Sequence, residues 1–243
     1  NVVGSNIANL AFVLGVILLI SPIRVTKSFY KTDWPIMMIA TLLFYSFLQA
    51  DGYLSQVEGG IMFVLLLIFL IYLLFFQKKA VIEEKVEIDE KEMLLTQLTF
   101  TFFAGGFFLW LGSEVLVNSA VSLATSLGVS ERIISISVVS IGTSIPELSA
   151  SIIAIINKEK AISIGNLIGS NIFNILAVIG ITAMIHPISV MDRAILDIDF
   201  FWMIGVSLLI FPLVFIPKKM RLGRLEGFCL LIIYGLFLNQ MFT

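Results

Sequence analysis

The sequence predicts an all-α polytopic membrane protein. Three observations carry this. Of 243 residues, 59% are apolar and only 13% charged, against roughly half and a quarter in soluble domains. The mean hydropathy is +1.06. The apolar residues also fall in uninterrupted runs of the length that crosses a bilayer, about 20 residues per helix. The runs lack the two-residue alternation of a membrane barrel.

Eight spans follow in order, near residues 1–21, 33–50, 60–77, 96–119, 132–156, 161–185, 198–216 and 225–241. The third, Gly60 to Phe76, carries no charge at all. No cleavable signal sequence precedes a soluble region. The basic residues fix the alternation. Arg24, Lys27 and Lys31 follow the first span; Lys78, Lys79, Lys85 and Lys91 the third; Lys158 and Lys160 the fifth; Lys218, Lys219, Arg221 and Arg224 the seventh. Only Arg132 and Arg193 fall on the other side. The positive-inside rule makes the 13-residue side cytoplasmic and leaves both chain ends outside. A cell-membrane, multi-pass protein embedded in lipid is expected.

Composition also excludes. A net charge of −2 and a single His and Cys leave no basic nucleic-acid surface and no multi-His or multi-Cys metal centre. The acidic stretch Gln77 to Gln97 lacks the spacing and turn glycine of a calcium-binding loop. It reads as a solvated linker between two halves.

The halves are related. Asn1–Ile23 and Asn166–Ile188 match at 11 of 23 positions with a constant offset of 165. The identities include Gly4/Gly169, Ser5/Ser170, Asn6/Asn171, Asn9/Asn174, Gly15/Gly180 and Pro22/Pro187. Chance likeness between apolar helices would match Leu, Ile and Val instead. One copy opens an outside-to-inside helix and the other an inside-to-outside helix, so the repeat is inverted. Such repeats recur in secondary transporters, with the substrate site where the copies meet. The expected organisation is 1–76, a first half; 77–96, an acidic cytoplasmic linker; and 97–243, a second half.

Glu147 is the one ionisable residue between Arg132 and Lys158. A carboxylate in a span is costly and marks function. Pro146 beside it cannot donate to the carbonyl of Gly142, so the helix is expected to break there. Freed carbonyls, hydroxyls of Thr143 and Ser144, and a carboxylate are hard oxygen ligands, suited to calcium and sodium. Ser170 and Asn174, and their counterparts Ser5 and Asn9, are spaced i, i+4 and share helix faces. They are expected to converge on Glu147, with Asn171 pointing elsewhere. Gly4, Gly169, Gly15 and Gly180 read as helix-packing positions.

Other residues read as structural. Glu114 is taken as a helix-end carboxylate near the outer surface. Asp51 and Glu58 bound a short outer loop, where they at most concentrate cations. His186 reads as interfacial, Cys229 as lipid-facing or packed, and Trp34, Trp110 and Trp202 as anchors toward helix ends or interfaces.

GTSIPE at Gly142–Glu147 and GNLIGSNIFN at Gly165–Asn174 resemble the second alpha-repeat of the calcium/cation antiporter superfamily. Within it, the chain is most similar to prokaryotic sodium/calcium exchangers. The resemblance implies an inverted-repeat antiporter fold of ten helices, eight of them present here. It implies a first repeat with its own GTS-x-PE helix and partner carboxylate, both expected ahead of Asn1, completing the site. Eight helices alone are expected not to transport unaided. By the same resemblance Glu147 is the principal calcium ligand, Thr143 ligates through its freed carbonyl, and Ser144 ligates through its hydroxyl or lines the site. Ser140, Ser5 and Ser170 serve sodium, and Asn9 and Asn174 occupy the centre. Sodium and calcium are the transported substrates, with no organic cofactor, and the protein is no enzyme. The implied activity is sodium/calcium exchange by alternating access, with calcium leaving the cell. A proton-coupled antiporter of calcium or another divalent cation on the same scaffold is the alternative.

Overall fold

A computed structural model describes residues 1–76, 95–129, 133–157, 160–190, 192–216 and 219–241. The acidic residues of the linker, and Lys78, Lys79, Lys85, Lys91, Arg132, Lys158 and Lys218, lie outside the described residues. Eight long helical stretches are seen among those described. They are α1 (Val2–Ile20), α2 (Trp34–Gln49), α3 (Gln56–Phe76), α4 (Leu95–Ser126), α5 (Ile134–Ile156), α6 (Ile164–Ile185), α7 (Ile195–Phe215) and α8 (Arg224–Met241). All but α2 and α8 are long and apolar enough by themselves to cross a membrane. A π-helical turn, Phe29–Asp33, runs into α2 and lengthens it.

Two short antiparallel pairings tie the loops together. Strand β1 (Ile23–Arg24) pairs with β4 (Arg221–Leu222), and β2 (Tyr53–Leu54) pairs with β3 (Ile188–Ser189). The loops after α1 and α7 therefore meet at one end of the molecule. Those after α2 and α6 meet at the other.

The chain repeats itself further than its identical residues show. The π turn Phe29–Asp33 leads into α2, and the π turn Ile195–Asp199 opens α7; each ends on an aspartate. Glu58 accepts from the Ser55 amide at 2.8 Å and from its hydroxyl at 2.7 Å, a capping box at the start of α3. Glu226 likewise accepts from the Gly223 amide at 2.7 Å at the start of α8. Each carboxylate satisfies a helix-end donor that a membrane interface leaves poorly solvated. Glu58→Ala and Glu226→Ala are each expected to cost about 1 kcal/mol, read as a lowered unfolding temperature in detergent. Glu58 is thus a cap, and Asp51 accepts from the Tyr53 amide at 3.0 Å.

Helix packing follows the glycines. α8 lies along the second half of α1, and α3 along the second half of α6. A Cβ on Gly227 would sit 2.8 Å from the Gly15 carbonyl, and one on Gly59 would sit 2.7 Å from that of Gly180. Backbones touch at both crossings, which only the smallest residues permit. Between α2 and α7 the packing is aromatic: Phe44 and Tyr45 meet Phe200, and Trp34 meets Phe211. The Trp34 indole donates to the Ser207 carbonyl at 2.8 Å, so it joins two helices rather than anchoring in lipid. Trp202 donates to Gln240 at 2.7 Å. Trp110 lies in the middle of α4, 58% exposed, not at a helix end.

α4 corrects a second expectation. It runs to Ser126, past the predicted limit of 119, so Glu114 lies inside the helix and not at its end. Glu114 accepts from Asn118 one turn on, at 3.0 Å. The helix lies along α5, and none of its most apolar stretch is buried.

Candidate functional site

The site forms where α5 breaks. Helical segments Ser140–Thr143 and Ile145–Ile156 are separated by Ser144, at φ −92° and ψ −2°. That is the sparsely populated bridge region. Pro146 is the cause, because it has no N–H for the Gly142 carbonyl. The carbonyl is not left bare: the Ser113 hydroxyl of α4 donates to it at 2.7 Å. Gly142 is also a point of close approach to α4, since a Cβ there would overlap the Val117 side chain at 2.2 Å. Ser113→Ala is expected to lower stability by about 1 kcal/mol through the unpaired carbonyl, measured by thermal unfolding.

Two hydroxyls reach the break from the repeated helices. Ser170 of α6 donates to Glu147 Oε1 at 3.1 Å. Ser5 of α1 shares a hydrogen bond with the Thr143 hydroxyl at 2.8 Å. The second carboxylate oxygen, Glu147 Oε2, is buried with no hydrogen-bond partner among the described residues. A buried carboxylate oxygen of this kind has lone pairs free to meet a cation. Ser140 is fully buried and spends its hydroxyl on the backbone, at 2.9 Å from the Ser135 carbonyl and 3.3 Å from that of Asn1. Ser144 donates to the Ser140 carbonyl at 2.9 Å. Both can offer only lone pairs. α1 crosses α5 here without a side chain: a Cβ on Gly4 would lie 2.2 Å from Ser140 Oγ and 2.8 Å from the Ile136 carbonyl. Its counterpart Gly169 has nothing within 4 Å among the described residues.

The amides behave differently from expectation. Asn9 donates to Asn171 Oδ1 at 3.0 Å, and Asn174 donates to Asn6 Oδ1 at 3.1 Å. Asn171 does not point elsewhere. It donates to the Asn6 carbonyl at 3.1 Å, while Asn6 donates to the Asn171 carbonyl at 3.4 Å. The NH₂ groups of Asn9 and Asn174 therefore turn to the opposite helix rather than to Glu147. The reason is local: the NH₂ of buried Asn9 and of half-buried Asn174 each need an acceptor, and the facing repeat supplies it. The segment holding Asn9 still packs against Ile145–Ile156, and Asn9 Oδ1 is buried without a partner among the described residues.

Three further polar residues escaped the sequence reading. Asn6 is read there only as a repeat identity, and Asn171 as a repeat identity that points away from Glu147. Asp199 is fully buried at the π turn of α7, inside a membrane-length helix. Its signal was available: it stands 166 positions after Asp33, which holds the corresponding turn of α2 and accepts from Ser28.

The chain matches the family model described as "Sodium/calcium exchanger protein" over residues 1–75 and 97–242. It is 35% identical over 240 residues to the antiporter CaxA of Alkalimonas amylolytica, covering 96% of this chain and 75% of that one. It is 30% identical to the sodium/calcium exchanger MaX1 of Methanosarcina acetivorans, covering all of this chain and 79% of the relative. Among solved structures, it superimposes on the sodium–calcium exchanger NCX_Mj with a TM-score of 0.74 at 25% identity. That match covers 98% of this chain and 75% of the other. The all-α polytopic membrane fold thus agrees with the comparisons: this chain belongs to the sodium/calcium exchanger family of membrane cation antiporters.

Proposed function

We propose that the protein exchanges sodium for calcium across the cell membrane, and that the break in α5 is where the ions bind. The observation that carries this reading is the buried, unpartnered Glu147 Oε2 beside a broken helix. Around it stand the oxygens of Ser170, Thr143 and Ser5. This donor set holds oxygen and no sulfur or imidazole, which suits hard cations. Glu147 is the principal calcium ligand in this reading. Thr143, Ser144, Ser140, Ser5 and Ser170 offer oxygens for sodium, and Asn9 and Asn174 close the centre.

Exchange follows from overlap. Calcium and sodium use the same oxygens, so neither can occupy the site fully while the other is present. Alternating access then carries them in opposite directions. α4 is suited to move, because it lies along α5 at one face and its apolar surface is otherwise open. The tightly crossed α1, α3, α6 and α8 are suited to stay fixed. The halves 1–76 and 97–243, joined by the linker 77–96, form the two arms of the inverted repeat. The basic loops face the cytoplasm, and the direction of net transport is calcium efflux.

The test is labelled-calcium uptake by vesicles of the full-length protein under an imposed sodium gradient. Uptake is expected to follow the sodium gradient and to survive a protonophore. Uptake that ignores sodium and collapses with the protonophore would show a proton-coupled divalent-cation antiporter instead.

A further inference from the structure

We infer that Asn6 and Asn171 are positioning residues that fix which way the Asn9 and Asn174 amides point. An asparagine amide has an oxygen end and an NH₂ end of nearly equal size, and only the oxygen can ligate a cation. Something must therefore set the polarity of Asn9 and Asn174. The four-residue cluster does so without ambiguity.

The argument starts from the backbone. A main-chain carbonyl can only accept. Asn171 faces the Asn6 carbonyl at 3.1 Å, and Asn6 faces the Asn171 carbonyl at 3.4 Å. Each must therefore present its NH₂ to that carbonyl. Their Oδ1 atoms are then forced to the other side of each amide, where Asn9 and Asn174 lie. Against Asn171 Oδ1, Asn9 must present NH₂, which it does at 3.0 Å. Against Asn6 Oδ1, Asn174 must do the same, at 3.1 Å. The oxygens of Asn9 and Asn174 are left pointing out of the cluster. A flipped Asn9 would set two acceptors 3 Å apart with no proton between them.

Burial makes the polarity binding. Asn6, Asn9 and Asn171 are each 1% exposed, so water cannot substitute for a lost partner. Asn9 Oδ1 is buried and unpartnered, the state expected of a ligand oxygen held ready. The cluster also joins the two repeats reciprocally, since each bond has a counterpart at the 165-residue offset. One pair of carbonyls thus orients an oxygen from each half of the molecule.

This inference rests on the ion-binding reading above, and its test separates the two. Calcium binding to the purified full-length protein is measured by titration calorimetry, with calcium alone as probe. Asn171→Ala is expected to weaken binding about tenfold or more, because Asn9 loses the acceptor that fixes its direction. Asn9→Asp in that background is expected to restore binding to within about threefold, since a carboxylate presents oxygen whichever way it turns. Asn9→Asp with Asn171 intact is expected to bind more weakly than the double variant, because the carboxylate faces the pinned Asn171 oxygen. Such rescue is a coupling that simple loss of packing would not produce. The mirror pair, Asn6→Ala with Asn174→Asp, supplies the same test should Asn171→Ala fail to fold. Parent-like binding by Asn171→Ala, or a folded double variant without rescue, would overturn the inference and leave the ion-binding reading standing. An unsubstituted protein that bound no calcium would overturn both.

Discussion

Replacing Glu147 by Gln is expected to abolish exchange while leaving the protein folded. The substitution keeps the shape and keeps an oxygen for the Ser170 hydroxyl, which now donates to Oε1 at 3.1 Å. What it removes is the charge. Two unit charges 4 Å apart interact by about 4 kcal/mol at an effective dielectric of 20, and a divalent ion interacts more strongly. That corresponds to a loss of roughly a thousandfold or more in calcium affinity. The unpartnered Oε2 means that no hydrogen bond of the fold is lost, so the unfolding temperature is expected to hold or rise. Sodium-driven calcium uptake and the melting curve, measured on one preparation, check both halves. Retained uptake would remove Glu147 from the site.

The second large effect is structural. Gly59→Val is expected to destabilise the protein by about 3 kcal/mol, the upper end for overpacking a well-filled site. A Cβ at Gly59 would lie 2.7 Å from both the Ala183 Cβ and the Gly180 carbonyl. Backbone cannot yield as a flexible side chain does, so α3 would have to move off α6. Gly227→Val is expected to do the same to α8 and α1, with a Cβ 2.7 Å from Leu18 Cβ. Gly235 is the control. It has open space around it in α8, and Gly235→Ala is expected to be neutral or to stabilise by up to about 1 kcal/mol through helix propensity. Thermal unfolding in detergent distinguishes the three. Equal melting temperatures would show that these crossings do not hold the bundle.

How much of this was legible in the sequence depends on what each residue's role required. The spans and their alternation were legible because burying backbone in lipid demands long apolar helices. The break before Glu147 was legible because proline lacks one specific donor. That Ser113 would fill the vacated bond was not legible, since it comes from another helix 29 positions away. The repeat was read over 23 residues, where polar identity survives. Beyond that it persists as geometry: π turns ending in Asp33 and Asp199, glutamate caps at Glu58 and Glu226, paired glycine crossings. Apolar positions between them can exchange freely so long as they stay apolar, so identity fades while the fold does not. The i, i+4 rule puts Ser170 and Ser5 on faces that meet Glu147 and Thr143 respectively. It does not say which way Asn9 and Asn174 turn their NH₂ groups, because helical periodicity gives the face of a side chain and not the partner its polar end must find.

The central claim is that the α5 break binds a hard cation through Glu147. Crystals of the full-length protein soaked with strontium, a heavier stand-in for calcium, test it most directly by anomalous diffraction. The account predicts an anomalous peak within about 3 Å of Glu147 Oε2, near the usual calcium–oxygen range, that fades as sodium is raised. A strong peak elsewhere with none at Glu147, or a Glu147 peak indifferent to sodium, would contradict it.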